Sequence, residues 1–183
     1  MALAGGVPGA GLRNRILPLA PPQYLELIAL DPRWRGEDNA NRSWLRESTA
    51  AGNRLIWWAV GTDDIDDVAA RTGREAIAGR ALEEAGSMTG GWRSVWPPGG
   101  GVSGLPFFIG YETDPTEQRA LRHEYARAAS PASPGAILEI ETGGDEATMR
   151  AWLDAELPVR IVEGAAGIRA VRIASARGEI VIQ

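Results

Sequence analysis

The chain has 183 residues, 19 basic against 24 acidic, with a formal net charge of −5 and 44% hydrophobic residues, enough for one substantial domain with room for a cavity. Every basic residue is arginine and cysteine is absent, which excludes a lysine Schiff base, a P-loop lysine, thiol nucleophiles, disulfides and cysteine-ligated metals. The acidic balance lacks the electrostatic footprint of a nucleic-acid binder, and neither a basic, uninterrupted apolar leader nor a run of about 18 apolar residues is present, so a cytoplasmic protein with no membrane contact is expected.

In chain order, the opening GGVPGAG brings together Gly5, Gly6, Gly9 and Gly11 without G-x-G-x-x-G spacing, and reads as a hairpin or rim loop. RNRILPLA and QYLELIAL follow as two short strands joined by a turn at Pro21 and Pro22. Residues 33–54 are polar and suit a loop and a short helix ending at Gly52. LIWWAV (55–60) is a continuous apolar strand. In TDDIDDVAART, Thr62 or Asp63 can cap a helix that places Ile65, Val68 and Ala69 on one side. WRSVW (92–96) and LPFFIGYE (105–112) read as strands around the loop WPPGGGVSG. PTEQRALRHEYARAA (115–129) reads as a helix with Pro at its start, and SPASP as a linker. AILEIET (136–142) alternates. GGDEATMRAWLDAEL (143–157) is an amphipathic helix with Met149, Trp152 and Leu153 on one side, and VRIVEG, IRAVRIA and GEIVI close the chain as three strands.

Strand, helix, strand, strand, strand is therefore the order over the last third, and residues 55–112 show the same order with a longer middle. The N-terminal stretch reads as the last strands of a third such unit. Within QYLELIALDP, Tyr24, Glu26 and Ile28 alternate with Leu25, Leu27 and Ala29, so both faces look apolar and the strand is expected to be covered on both sides, with Glu26 buried among its neighbours. A buried carboxylate requires a partner, a proton or a ligand. Arg13, Arg15 and Arg93 are its candidate ion-pair partners, and Asn14 and Arg15 lie close enough in a hairpin register to hydrogen-bond it.

The ordered strings QYLELIALDP, LIWWAVGTDDIDDVAAR, WRSVWPPGGGVSGLPFFIGYE, AILEIET and RGEIVI together resemble the glyoxalase-like domain branch of the vicinal oxygen chelate superfamily, across nearly the whole chain. The resemblance implies an α+β fold in which repeated βαβββ units form curved mixed sheets around a cup. Residues 1–183 then make a single glyoxalase-like domain, with 1–54 an incomplete first unit, 55–112 the second, 113–135 a helix and linker, and 136–183 a third βαβββ-like unit. The family normally has one strand and one helix before the stretch resembling GGVPGAGLRNRIL. Their absence here is expected to leave a sheet edge that a homodimer could cover.

The superfamily's usual metal set takes a His or Glu from the first and last strands of each paired unit. The resemblance places Glu26 at one carboxylate position, Trp57 where a His would stand and Ile109 where the second carboxylate would stand; the first unit's His belongs to the absent strand. One ligand of four is too few for a divalent metal, so neither a metal nor any other cofactor is expected. The only histidine, His123, would need a His at position 127 for an HExxH motif, and Arg127 stands there. Asp63, Asp64, Asp66 and Asp67 lack an EF-hand pattern and are explained by the dipole of the helix they begin. Ser87, Ser94 and Ser103 have no credible triad partners.

The remaining candidate is an aromatic-lined cup for a small, partly apolar molecule, with Asn14, Tyr24, Glu26, Trp57, Trp96, Phe108 and Tyr111 as ligand-binding residues. Trp57 and Trp58, neighbours on the strand, cannot both line the cup; the resemblance implies that Trp57 is the one that faces inward. Glu26 is the one catalytic candidate, a general base made effective by burial. Three readings stay open: a metal-independent binding protein; a lyase, isomerase or dioxygenase of the glyoxalase type whose metal site needs an upstream strand; and a ligand-free paralogue held together by dimerisation.

Overall fold

The structure, a computed structural model, describes residues 3–7, 11–20, 22–80, 91–112 and 134–183. They fall into two compact units: one built on the strands before Arg54, and one formed by Leu55–Gly79, Trp92–Glu112 and Ile137–Gln183. The α+β class with repeated βαβββ segments and mixed sheets holds.

The first unit is an antiparallel meander in the order β1 (Leu3–Val7), β2 (Leu12–Pro18), β3 (Tyr24–Leu30). β1 occupies the stretch expected to be a loop. Its glycines carry no β-propensity, but register with β2, from Leu3 opposite Ile16 to Val7 opposite Leu12, supplies backbone hydrogen bonds that composition does not advertise. Gly11 ends the β1–β2 connection at φ +64, where a Cβ would lie 2.8 Å from Arg42 Cδ and 2.9 Å from the Trp34 ring. The same Arg42 donates to Gly11 O at 2.6 Å. Helix α1 (Ala40–Ser48) starts on Asn39, whose side chain accepts from Arg42 N, and buries Leu45. It stops at Thr49 rather than at Gly52, because the Thr49 hydroxyl donates back to Leu45 O at 2.7 Å and closes the last turn.

The second unit holds two four-stranded sheets. One has the order β4 (Ala59–Gly61), β7 (Phe107–Tyr111), β6 (Gly91–Val95), β5 (Ala76–Arg80). The other has the order β11 (Gly178–Ile182), β10 (Gly167–Ser175), β8 (Ile137–Gly143), β9 (Val159–Val162). β4 pairs parallel with β7, and β8 pairs parallel with β9; β6 with β7, β8 with β10 and β10 with β11 are antiparallel. Of LIWWAV only the last two residues join a strand. The ladder opens where Phe107 N donates to Trp58 O at 3.2 Å, and the two tryptophans before it are held by side-chain contacts instead.

Helix α2 (Ile65–Thr72) is capped by Asp64, which accepts from Asp67 N at 2.9 Å, in place of the expected Thr62 or Asp63. Thr62 Oγ1 in turn accepts from Asp64 N, so the two residues share the work of turning the chain. The helix ends on Gly73 at φ +63, a left-handed cap that glycine adopts without cost. Ile65 and Val68 are buried as the spacing predicts, and they form one cluster with Val95, Phe108 and Trp152. Burial of each such side chain is worth roughly 2 kcal/mol. Helix α3 (Glu146–Leu153), capped by Asp145, buries Met149, Trp152 and Leu153, again as the spacing predicts. Residues 115–129 and the SPASP linker lie largely or wholly outside the described residues.

Three contacts tie the two halves of the second unit together. Trp152 Nε1 donates to Pro106 O at 2.8 Å while its ring packs on Phe108 at 5.6 Å. Arg71 caps α3 by donating to Trp152 O at 2.9 Å and Leu153 O at 3.3 Å, with its guanidinium 5.0 Å from the centre of the Phe108 ring; these are carbonyls that a helix C-terminus leaves without internal donors. Finally, Gly104, at φ +74, approaches so closely that a Cβ there would lie 2.7 Å from Gly167 N and 3.0 Å from Gly143 O. The fully buried Thr142 hydroxyl sits among the carbonyls of Gly104, Gly143 and Gly167.

Candidate functional site

β7 has two distinct faces. Phe108 and Gly110 are buried, and a Cβ on Gly110 would meet Ile65 at 3.1 Å, so this face packs under α2. Phe107, Ile109 and Tyr111 point the other way and are half-buried. Cross-strand register puts Trp92 beside Tyr111 and Ser94 beside Ile109, so the face turned from α2 carries Trp92, Ser94, Phe107, Ile109 and Tyr111. Trp96 follows on the same side, stacked on Phe107 with centroids 4.4 Å apart and 13° between the planes. Trp57 meets Trp96 edge-on at 5.0 Å and 74°. Offset stacking followed by a T-shaped contact satisfies the ring quadrupoles twice over.

Polar groups hold this row in place. The buried Ser94 hydroxyl accepts from Trp96 Nε1 at 3.0 Å. Trp58 donates to Gly104 O at 3.1 Å. Trp92 approaches Gly79 closely, so that a Cβ there would come within 2.3 Å of the indole; any larger residue would displace the ring. Of the candidates read from sequence, Trp57, Trp96 and Tyr111 belong to this half-buried aromatic face. Phe108 does not: it is 3% exposed in the core beneath α2. Its neighbour Phe107 has the stacking role, a one-residue change of phase in FF that alternation alone leaves undetermined without knowing which face the helix covers.

Asn14, Tyr24 and Glu26 share one face of the first unit's sheet, since Asn14 lies opposite Ile28, Ile16 opposite Glu26 and Pro18 opposite Tyr24. The expectation of a buried Glu26 is corrected: Glu26 is exposed, and Leu27 on the opposite face is 62% exposed. The strand is therefore not covered on both sides, because its apolar-looking second face, with Arg13, Arg15, Leu27 and Ala29, is open to solvent. Glu26 Oε1 accepts from Asn14 Nδ2 at 2.6 Å, a diagonal cross-strand contact. Arg93 is engaged elsewhere, forking onto both oxygens of Asp66 at 2.9 and 2.7 Å and lying 3.9 Å from Glu112. Its hydrogen bonds hold the Asp66 carboxyl below the usual carboxylate range, and Asp66 raises Arg93 in return. The burial that a general-base role for Glu26 required is absent.

The face of the C-terminal sheet that bears Glu139 and Glu141 carries no aromatic row. A chain of charges runs across all four strands there: Glu141 and Glu139 on β8 both pair with Arg160 on β9, Glu139 pairs again with Arg172 on β10, and Arg172 pairs with Glu179 on β11. The Glu139 contacts measure 3.1 and 3.2 Å and the Arg172–Glu179 contact 2.5 Å. Arg172 is raised above the usual arginine value, first by its hydrogen bond to Glu179. This arrangement was not anticipated, although the alternation of ILEIET with VRIV and IRAVRIA contains its signal: Glu at every second position facing Arg at matching phase.

A family model described as a glyoxalase-like domain matches residues 1–179. The chain belongs to that family. A crystal structure of a hypothetical protein from Staphylococcus aureus is similar, with a TM-score of 0.56 at 13% sequence identity over 98% of this chain and 74% of that one; at this identity the likeness speaks for the fold alone. No curated protein matches the chain. In this glyoxalase-like chain the positions that the resemblance assigns to metal ligands offer poor donors. Trp57 and Ile109 supply no lone pair suited to a divalent ion, Glu26 is engaged by Asn14, and among the described residues no group of three His, Cys, Asp or Glu side chains converges on a point. The donor set does not fit a metal of the usual kind. Among the described residues no helix is long and apolar enough to cross a membrane.

Proposed function

We propose that this glyoxalase-like domain binds a small, partly apolar molecule against the Trp57–Trp96–Phe107 row, without a metal. The observation that carries the proposal is the row itself: three half-buried aromatic rings in successive contact, two of them on the side of the sheet turned from its helix and Trp57 joining them from just before β4. A core would bury such rings and an ordinary surface would not assemble them. Ring faces aligned by Ser94 and by strand register favour a planar ligand held by stacking, with Tyr111 and Ile109 extending the contact along β7. The metal-free part of the proposal is supported by the donor chemistry at Trp57, Ile109 and Glu26.

The test is a thermal-shift screen of planar aromatic fragments, run with chelator and separately with divalent cations. A ligand at a hundred times its Kd adds about 2.7 kcal/mol, which for a chain of this length raises Tm by roughly 5–10 °C. The shift is expected to persist in chelator and to disappear in Trp96→Ala. Stabilisation that needs a divalent cation and is abolished by chelator would contradict the metal-free reading.

A further inference from the structure

We propose that β11 is a self-recognition edge, through which two copies of this chain pair antiparallel with Val181 on the two-fold axis. β11 ends its sheet among the described residues, with β10 as its one neighbour. Its residues are exposed from Gly178 to Val181, including Ile180 at 39% and Val181 at 46%, on opposite faces. A strand that shows apolar side chains on both faces and a free row of backbone donors and acceptors is a template for another strand. Three of the usual protections are missing: GEIVI has no Pro and no Lys, and its ladder with β10 runs from Val171–Ile182 to Ser175–Gly178 without a bulge; its one charge, Glu179, is paired with Arg172 of its own chain.

The order of residues argues for a second copy as the occupant. Residues directly opposite one another in antiparallel strands point to the same face, so a two-fold axis normal to the sheet must pass through a residue position. Centred on Val181, the register sets Ile180 against Ile182 of the second copy, Val181 against Val181, and Glu179 against Gln183. Apolar meets apolar, and a carboxylate meets an amide that can donate to it. A register centred on Glu179 would oppose two carboxylates. Charge also favours the pairing, since each Glu179 is already matched by Arg172 of its own chain at 2.5 Å and presents no bare charge to its twin. The result is a continuous sheet of eight strands. Few residues take part compared with the roughly 20–30 a side of a standard interface, so association is expected to be a concentration-dependent equilibrium.

Sedimentation velocity of the full chain, from low micromolar to near-millimolar concentration, should show a monomer giving way to a dimer. Val181→Lys puts two like charges on the axis at a site already open to water, and should weaken association by about tenfold or more. The chain has no cysteine, so Val181→Cys provides an independent readout. Its thiols should meet across the axis near disulfide span and cross-link at least about tenfold faster than those of Glu179→Cys, which face Gln183 instead. A chain that stays monomeric throughout, a Val181→Lys variant that associates as the wild type does, or equal cross-linking of the two cysteine variants would each overturn the proposal.

Discussion

Strands β4 and β8 hold the same place in their segments, the first strand before a helix, yet they take opposite places in their sheets. β4 lies at an edge, beside the last strand of its segment, whereas β8 lies in the interior between β9 and β10. The two strands also differ in polarity. LIWWAV has nothing charged to satisfy and needs one neighbour; β8 carries Glu139 and Glu141, and an interior position surrounds them with Arg160 on one flank and Arg172 on the other. One half of the unit thus presents aromatic rings and the other a row of ion pairs, from the same succession of elements. Element order specifies which pieces exist, but not how they are wired.

The strongest way to break this comparison is to cut the link between the halves. Trp152→Ala removes a ring from the shared cluster and the donor to Pro106 O, and should cost about 4 kcal/mol in denaturant unfolding. One transition moving as a whole is expected; two separate transitions would show that the halves fold independently. Gly104→Ala attacks the same seam through the backbone, forcing a Cβ against Gly167 N at positive φ, and should cost about 2–3 kcal/mol.

The charged row predicts much smaller effects. Glu139→Gln loosens contacts to two arginines that are 38% and 47% exposed, so the change in unfolding free energy should stay below about 1 kcal/mol and shrink further in 1 M salt. A loss of several kcal/mol, unaltered by salt, would mean that the row supports its sheet as strongly as the aromatic side is supported. The smallest effect belongs to Asp66 and Arg93. Because Asp66 is lowered by its partner, the pair's contribution is complete above pH about 4, where the unfolded carboxylate is also ionised, and is lost as pH falls through the depressed folded value. Asp66→Asn should lower stability slightly and evenly above pH about 4, pH 7 included, and flatten the acid limb of a stability-against-pH curve, the two curves meeting at the lowest pH.

Much of the fold could be read from the sequence because its signals are local. Ile65 with Val68, and Met149 with Trp152 and Leu153, follow helical spacing, and the structure buries all five. The strands of the last third follow alternation. What local patterns do not carry depends on neighbours. β1 is a strand because β2 accepts it, not because Gly5 and Gly6 favour one. Glu26 was misplaced because Leu25, Leu27 and Ala29 look like a covered face, and exposure of Leu27 is a property of what packs there. The aromatic row is half legible: Trp57 and Trp96 stand out in the sequence, while the two adjacent phenylalanines Phe107 and Phe108 offer no clue to which one α2 buries.

The row Glu141, Arg160, Glu139, Arg172, Glu179 alternates in sign and begins and ends on a carboxylate. Such a row can be trimmed from either end without harm, because loss of Glu141 or Glu179 leaves two acids facing two bases. Loss of Arg160 leaves Glu139 and Glu141 side by side on β8, and loss of Arg172 leaves Glu139 on β8 and Glu179 on β11 without the cation between them. Single-step drift is therefore freer at positions 141 and 179 than at 160 and 172, where a neutral replacement costs somewhat more until a glutamate beside it has gone. The order in which substitutions accumulate along these four strands is set by the arithmetic of alternating charge.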